Sequence, residues 1–338
     1  MRRRDALTTL VTGAAGFIGA AVSAALLARG ERVVGIDNLD PYYSVDLKQA
    51  RLTRLRDVPG DFAFHQLDFA DHATLEAALA DEEFSRIVHL GAQAGVRYSL
   101  ENPRAYVRSN VAGHLNMLEL ARERTVAHMV YASSSSVYGG NEKVPFSVDD
   151  RVDHPWSLYA ATKKSDELMS ETYAHLYRLP LTGLRFFTVY GPWGRPDMMP
   201  WIFTGKILAG EPIPVFNRGE MWRDFTWIDD IVAGVLACLD APPADDGVAK
   251  PGGSRDPHAI YNIGNNRPEP LMKVIGLIEQ ACGRKATIDL LPMQPGDVPQ
   301  TSADIGAIAR DHGYAPTTPV EVGFPRFVRW FTEYHGLD

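Results

Sequence analysis

Short runs rich in apolar and β-branched residues recur through the first half of the chain: LTTLVTG (7–13), RVVGID (32–37), FAFHQLD (62–68), RIVHLG (86–91), AHMVYAS (127–133) and LTGLRFF (181–187). Segments with helical periodicity separate them, among them 19–30, 103–123 and 157–178. Strands that alternate with helices close as βαβ units, whose crossovers leave neighbouring strands parallel. The pattern therefore predicts an α/β chain built on a doubly wound parallel sheet. Beyond about residue 190 the character changes to Pro-rich turns, short strand candidates near 213–216 and 224–228, and helices near 229–240 and 270–282. We read 1–190 as a sheet domain to which some later segments return, and 191–338 as mainly a smaller C-terminal α/β lobe. Residues 241–257, APPADDGVAKPGGSRDP, have almost no apolar content and read as an exposed loop of disorder-prone composition.

At 338 residues, with 45% apolar and 22% charged side chains, the chain has material for a sizeable buried core. A formal net charge of -8 gives no support to nucleic-acid or membrane binding, which need clustered Lys and Arg. The start, Met1-Arg2-Arg3-Arg4, is followed by Asp5 and an apolar run too short for a signal peptide or membrane span, and reads as a solvated terminus. Cys238 and Cys282 lie in apolar, helix-like surroundings at no metal-ligand spacing. Buried thiols, no metal and a reducing, cytoplasmic compartment are expected.

The first strand run opens into LVTGAAGFIGAAV, which places Gly13, Gly16 and Gly19 between a strand and a helix. Three glycines alone would serve ordinary turns. In this context they let the backbone approach a pyrophosphate, whose charge the helix N-terminus stabilises. Asp37 ends the next strand eighteen positions beyond Gly19, where a carboxylate accepts hydrogen bonds from ribose hydroxyls and repels a 2′-phosphate. A Rossmann-type site for NAD in preference to NADP is expected, with Asn38 beside Asp37. Asp68, closing HQLD, has two readings, a contact to the adenine edge or a cap on its own turn.

SLYAATKK puts Tyr159 and Lys163 four residues apart on one face of a helix. A free phenol titrates near ~10, so service as a base near neutrality requires a shift of about 3 units, or roughly 4 kcal/mol. An ammonium one turn away and a positively charged nicotinamide supply such a field. Beside a dinucleotide loop the pair reads as catalytic; without one, a surface tyrosine and an exposed lysine would be the simpler reading. Four serines, Ser133, Ser134, Ser135 and Ser136, stand where an apolar run gives way to a turn in YASSSSVYGG.

These pieces, with DFAD (68–71), HLGAQAGVRYS (89–99), ASSSSVYG and RDFTWIDDI (223–231), resemble the extended short-chain dehydrogenase/reductase family over nearly the whole chain, in its NAD-dependent epimerase/dehydratase branch. More narrowly, DNLDPYYSVDLKQARL, FFTVYGPWGRPDM and MQPGDVPQTSAD are similar to UDP-glucuronate 4-epimerases. Two places depart from the pattern. Gly91 stands where relatives usually show alanine, which predicts looser packing beside the cofactor, and MMPWIF from Met198 is unusual beside a sugar pocket.

The resemblance implies a site and a mechanism. Ser134, twenty-five residues before Tyr159, is implied to lie beside the sugar C4 hydroxyl, with Ser135 and Ser136 lining the same pocket and Lys163 holding the nicotinamide ribose. Tyr159 would take the C4 hydroxyl proton while hydride passes to NAD. The 4-keto sugar would then turn and receive hydride on its other face, converting UDP-glucuronate to UDP-galacturonate with no net oxidation. Phe17, Ile18, Phe69, Leu90, Gly91, Ala92, Asn110, Ser133 and Phe186 complete the implied cofactor contacts. The implied nucleotide end has Arg223 at the diphosphate, Arg97 near phosphate or sugar, Val215, Phe216 and Asn217 near uracil, and Gln294 with Asp297 near the uridine ribose. A structural ion pair for Arg223 and an ordinary turn for Asp297 are the plainer readings. A homodimer is also implied, with the 103–123 and 157–178 helices pairing; the small residues Ala160 and Ala161 suit either a two-fold interface or internal packing.

Related sugar-nucleotide 4,6-dehydratases carry an Asp-Glu pair just before VYG, and UDP-glucuronate decarboxylases a Glu; here those places hold Ser135 and Ser136. A hydroxyl cannot act as the acid or base of the later steps, so the pocket forms a ketone without carrying it onward. A role in satisfying the strand-to-loop turn fits Ser133 best. A 4-keto glucuronate is a β-keto acid, prone to lose its carboxylate when the breaking bond lines up with the carbonyl π system. Thr188 and Arg195 fall at positions that grip the carboxylate in this subfamily, and UDP-glucose epimerases have Asn at the place of Thr188. A guanidinium suits bidentate recognition of a carboxylate, at about 1.5 to 3 kcal/mol per charged hydrogen bond. The plain alternative is a loop ion pair of Arg195 with Asp197. Decarboxylation, neutral-sugar epimerisation and a non-catalytic NAD-sensing regulator are the rival functions.

Overall fold

The computed structural model describes residues 7–294 and 296–337, so the Met1–Arg4 terminus lies outside the described residues. In chain order the strands are β1 (Thr8–Thr12), β2 (Arg32–Asp37), β3 (Phe62–Gln66), β4 (Arg86–His89), β5 (His128–Ser134), β6 (Leu181–Phe186), β7 (Thr188–Tyr190), β8 (Ile213–Val215), β9 (Trp222–Trp227), β10 (His258–Ile263), β11 (Pro268–Pro270) and β12 (Ile288–Leu290). Seven of them form one sheet in the order β10-β6-β5-β4-β1-β2-β3, with every neighbouring pair parallel. This is the doubly wound order, in which the winding reverses between β1 and β4. All six apolar runs became strands of this sheet, because crossover helices cover both of its faces and every strand residue needs an apolar neighbour. Along β1 and β2 the pleat sends alternate residues to opposite layers: Val11 and Val33 pack into one core cluster, Leu10 and Val34 into the other.

The register pairs Thr12 with His89, so β1 and β4 end together and the residues after them, Gly13 and Leu90, leave the sheet side by side. In open α/β sheets the crevice at this reversal is where ligands bind. The seventh strand, β10, arrives from far along the chain after an excursion that includes β7, β8 and β9. The Ile228–Asp240 helix lies on the way; Ile231 and Val235 are fully buried, and Asp240 accepts hydrogen bonds from Arg29 and from Arg86 of β4. A three-stranded sheet, β11-β9-β7, and a β12-β8 pair complete the strand arrangement. Their packing is aromatic: Tyr190 stacks on Phe324 of the Val320–His335 helix at 4.4 Å between ring centroids.

Two expectations changed. The 103–123 helix is a composite: an α-turn over Pro103–Tyr106, a π-helical stretch over Val107–Ala112 and an α-helix over Gly113–Glu123. Asn110 sits in the π stretch and its amide donates to Gln93 O and Thr162 Oγ1, so side-chain bonding to two other segments competes there with regular spacing. The 241–257 loop is exposed as composition indicates, yet it is fastened at several points. Asp245 and Asp256 pair with Arg178, and Ser254 donates to Glu171.

Candidate functional site

The carboxyl ends of β1 and β4 open onto a cavity of about 790 Å³. At one end is the glycine loop. Gly13 has φ +69°, which glycine adopts without strain, and its carbonyl accepts from Gly16 N at 2.8 Å. A Cβ on Gly19 would lie 2.0 Å from that carbonyl oxygen, so the loop and the Phe17–Ala28 helix can approach only without a side chain there. No side chain caps this helix and its first turn carries no acid, which leaves its leading amides for an anionic ligand. The Asp37 carboxylate accepts from Leu39 N at 2.8 Å and Ala15 N at 3.2 Å, welding the end of β2 to the glycine loop. Burial raises its pKa, against the attraction of Lys48 and those two amides. Phe17, Ile18, Asn38, Phe69, Leu90, Ala92 and Phe186 lie on the same wall. A glycine cradle, an uncapped helix start and a carboxylate at the end of β2 together fit a dinucleotide.

Asp68 also faces the cavity, but its carboxylate accepts from its own turn (Ala70 N, 2.9 Å) and from Arg108 (2.8 Å), which matches the turn-cap reading. Gly91 does not loosen the packing. A Cβ there would lie 2.6 Å from Phe69 Cε1, so the Phe69 ring already fills the space. Gly91 N donates to Thr12 Oγ1 at 2.8 Å, and that hydroxyl is hydrogen-bonded to His89 Nδ1 at 2.7 Å. Burial, aided by the charge of Lys163, pushes His89 down to about 3, so the floor beneath the cofactor region carries a neutral ring.

At the centre, Ser157 caps the Leu158–Tyr177 helix by accepting from Ala160 N at 3.1 Å, and this helix presents Tyr159 and Lys163 to the cavity. Lys163 Nζ donates to Ala132 O at 2.9 Å and to Asp166 Oδ2 at 3.0 Å. The Tyr159 ring meets Tyr106 edge-on at 6.0 Å. Ser134 ends β5 on the cavity wall; its Oγ accepts from Ser136 N at 3.2 Å and is 3.1 Å from Ser136 Oγ, capping the turn of Ser135–Tyr138. Ser135 and Ser136 line the cavity too, whereas Ser133 Oγ is spent on Glu167 at 2.7 Å.

Farther along, Thr188 and Arg195 share the wall with Met198 and Met199. Arg195 Nε donates to Asp197 Oδ1 at 3.0 Å and Nη2 to Asp197 Oδ2, while the Tyr42 hydroxyl donates to that carboxylate at 3.1 Å. Burial disfavours the Arg195 charge, but Asp197 outweighs it and holds the guanidinium above its ordinary range. The loop ion pair is therefore present, and Nη1 has no partner among the described residues. Beyond it, the Arg97 guanidinium lies 4.6 Å from the Phe216 ring centroid and donates to Asp297 at 3.2 Å, next to Arg223 on the same wall. Arg223 donates to the carbonyls of Trp222 and Pro299, not to an acid.

Four expected residues stand off the wall. Val215 is fully buried in the core; Asn217 turns its amide to Glu220 O at 2.7 Å; Gln294 meets the Asp297 amide through its backbone carbonyl; Asn110 is the clamp in the π stretch. Sequence reasoning missed Arg51, which is 1% exposed and donates to Ala15 O, Trp193 O, Gly194 O and the Tyr43 hydroxyl. It ties the glycine loop to the loop of Arg195, yet an arginine inside a charged helix carries no sequence mark of burial. Asp166 and Tyr42 were missed for the same reason, whereas Asp197 was anticipated as the loop partner of Arg195.

A model of the NAD dependent epimerase/dehydratase family matches residues 9–264. UDP-glucuronate 4-epimerase 4 of Arabidopsis thaliana is 48% identical, covering 99% of this chain and 77% of its own. A probable UDP-glucuronate 4-epimerase of Rhizobium meliloti (strain 1021) is 46% identical, covering 96% of each chain. Among solved structures, UDP-glucuronic acid 4-epimerase from Bacillus cereus in complex with UDP-glucuronic acid and NAD superposes with a TM-score of 0.86, at 31% identity over 97% of this chain and 100% of that one. A family match across most of the chain, joined to the glycine cradle at the β1–β4 reversal, shows that the chain belongs to the NAD dependent epimerase/dehydratase family.

Proposed function

We propose that this chain catalyses NAD-dependent 4-epimerisation of UDP-glucuronate to UDP-galacturonate through a transient 4-keto sugar, without decarboxylation. One observation carries the reading: Tyr159, Lys163, Ser134, Thr188 and Arg195 line a single cavity with the glycine loop, and the two places that hold acids in dehydratases hold Ser135 and Ser136. NAD, when bound, supplies hydride removal and return at C4. Lys163, with two of its three N–H groups engaged by the protein, would hold the nicotinamide ribose with the remainder. Tyr159 takes the C4 hydroxyl proton and gives it back, and Ser134 orients that hydroxyl. Asp197 occupies the Nε side of Arg195 and leaves Nη1 for the uronate carboxylate, keeping the scissile bond out of line with the ketone.

Residues 1–190 with the returning β10 are assigned to the dinucleotide, and 191–338 mainly to the UDP-sugar. Arg97, Phe216, Arg223 and Asp297, gathered at one end of the cavity, support the nucleotide assignment. A homodimer is supported by exposed apolar side chains on the two helices expected to pair, Val107 and Leu115 on one and Leu168, Leu176 and Tyr177 on the other. Ala160 is 1% exposed and packs internally. A cytoplasmic setting is supported by two free thiols, of which burial pushes Cys282 up to about 11. No described helix is long and apolar enough to cross a membrane.

Incubation with UDP-glucuronate deuterated at C4 tests the mechanism. UDP-galacturonate that retains the label is the expected product. Label lost to solvent, or UDP-pentose with released carbon dioxide as the main outcome, would overturn it.

A further inference from the structure

Behind Lys163 lies a carboxyl that the mechanism above does not use. Asp166 is 1% exposed, and its Oδ2 is 3.0 Å from Lys163 Nζ. Its other oxygen, Oδ1, has no hydrogen-bond partner among the described residues. The remaining charged neighbours are otherwise engaged. Glu167, next on the helix, is held by Arg185 of β6 at 2.8 Å, by Lys164 at 3.1 Å and by Ser133. His114 faces the spot from the Gly113–Glu123 helix and His89 from β4, and burial keeps both rings neutral. Tyr131 of β5 is paired with His258, and burial holds its phenol well above its ordinary range. Lys163 and Asp166 are thus the two groups here whose charges are balanced only by each other.

We infer that Asp166 is a positioning residue for Lys163: its carboxylate fixes the ammonium from behind and offsets its charge, and so governs how strongly Lys163 favours the Tyr159 phenolate. The inference rests on the epimerase reading, which makes Tyr159 the base. In a dry site two opposite charges at this distance interact far more strongly than in water. Burial pushes the Asp166 carboxyl up to about 6, against the attraction of Lys163. Above that pH the pair is neutral and the field at Tyr159 is weak. Below it Asp166 takes a proton, the ammonium is no longer offset, and the phenolate gains support as protons become plentiful.

Asp166→Asn keeps the shape and an acceptor for Lys163 while removing the charge. Ultraviolet difference titration of the holoenzyme, with the matching Tyr159→Phe protein subtracted, reads Tyr159 ionisation without any turnover. The Asp166→Asn protein is expected to ionise Tyr159 at a pH lower by about one unit, the scale of a nearby charge, and the acid limb of its rate profile should follow. Asp166→Glu, which restores the charge, should return the titration toward its original position. A Tyr159 titration that superimposes on the wild type, with only a lower melting temperature, would reduce Asp166 to a structural role and overturn the inference. If Asp166→Asn does not fold, Asp166→Ser removes the same charge and is read by the same titration. A wild-type protein that titrates normally yet turns over no UDP-glucuronate would overturn the epimerase reading instead.

Discussion

The roles proposed for Tyr159 and Arg195 at the reacting sugar differ, and their replacements should fail differently. Tyr159→Phe removes the hydroxyl proposed to take the C4 proton, so turnover should fall by about 10² to 10⁴, the usual worth of a positioned acid-base group, while the bound dinucleotide is retained. Turnover and dinucleotide content of the purified protein check this. Arg195→Ala should weaken UDP-glucuronate binding roughly ten- to a hundredfold and raise the pentose by-product, because the substrate carboxylate loses its cation and Asp197 is left beside it. An unchanged product ratio would remove Arg195 from the clamp. Gly19→Ala sets a methyl 2.0 Å from Gly13 O. The glycine loop or the helix must then shift, at the usual overpacking cost of about 1 to 3 kcal/mol, and NAD should dissociate during purification, which absorbance of the released dinucleotide would show.

At the scale of elements, the Leu158–Tyr177 helix both carries Tyr159 and Lys163 and braces the sheet. Its N-terminus depends on Ser157, and Ser157→Ala should cost about 1 kcal/mol with Tyr159 and Lys163 still in place. The Glu167–Arg185 pair is a heavier joint. Arg185 Nε and Nη2 grip Glu167 at 2.8 and 3.0 Å, its Nη1 reaches the Tyr138 hydroxyl at 3.0 Å, and both charged side chains are about 1–2% exposed. Glu167→Ala leaves a buried guanidinium without its counter-charge, and a loss of about 3 to 5 kcal/mol is expected, read by urea unfolding. Because Ser133 Oγ also donates to Glu167, this variant should disturb the end of β5 beside Ser134, and turnover should drop with stability.

Across the whole molecule, buried histidines set how stability responds to acid. Burial pushes His89 down to about 3 and His128 down to about 4, and holds His114 well below its ordinary range. Unfolding frees these rings to take protons below about 6.5, so the unfolded state binds more protons there and stability is lost as pH falls from about 6.5 toward 4. Asp166 acts the other way, since its raised carboxyl binds a proton in the folded state first. Each uncompensated histidine contributes about 1.4 kcal/mol per pH unit over that window. His128 lies away from the cavity, bonded to Leu239 O and Thr182 Oγ1. His128→Gln should flatten the slope by about one proton in urea unfolding at stepped pH, and an unchanged slope would exclude this histidine as a source.

What the linear chain determined by itself was whatever depends on neighbours in sequence. Six apolar runs became strands because local periodicity and sheet burial ask for the same residues. The glycine spacing, Asp37 and the Tyr159–Lys163 pair were legible because a turn, a strand end and one helical turn each lie within a short window. Tertiary structure alone decided the rest: that β10 joins the sheet from beyond residue 250, that Phe69 fills the room Gly91 leaves, that Tyr42 braces the Arg195–Asp197 pair, and that Arg51 and Asp166 are buried. Those contacts join residues up to 155 positions apart. Their strength comes from burial and mutual distance, quantities that exist only once the chain has closed on itself.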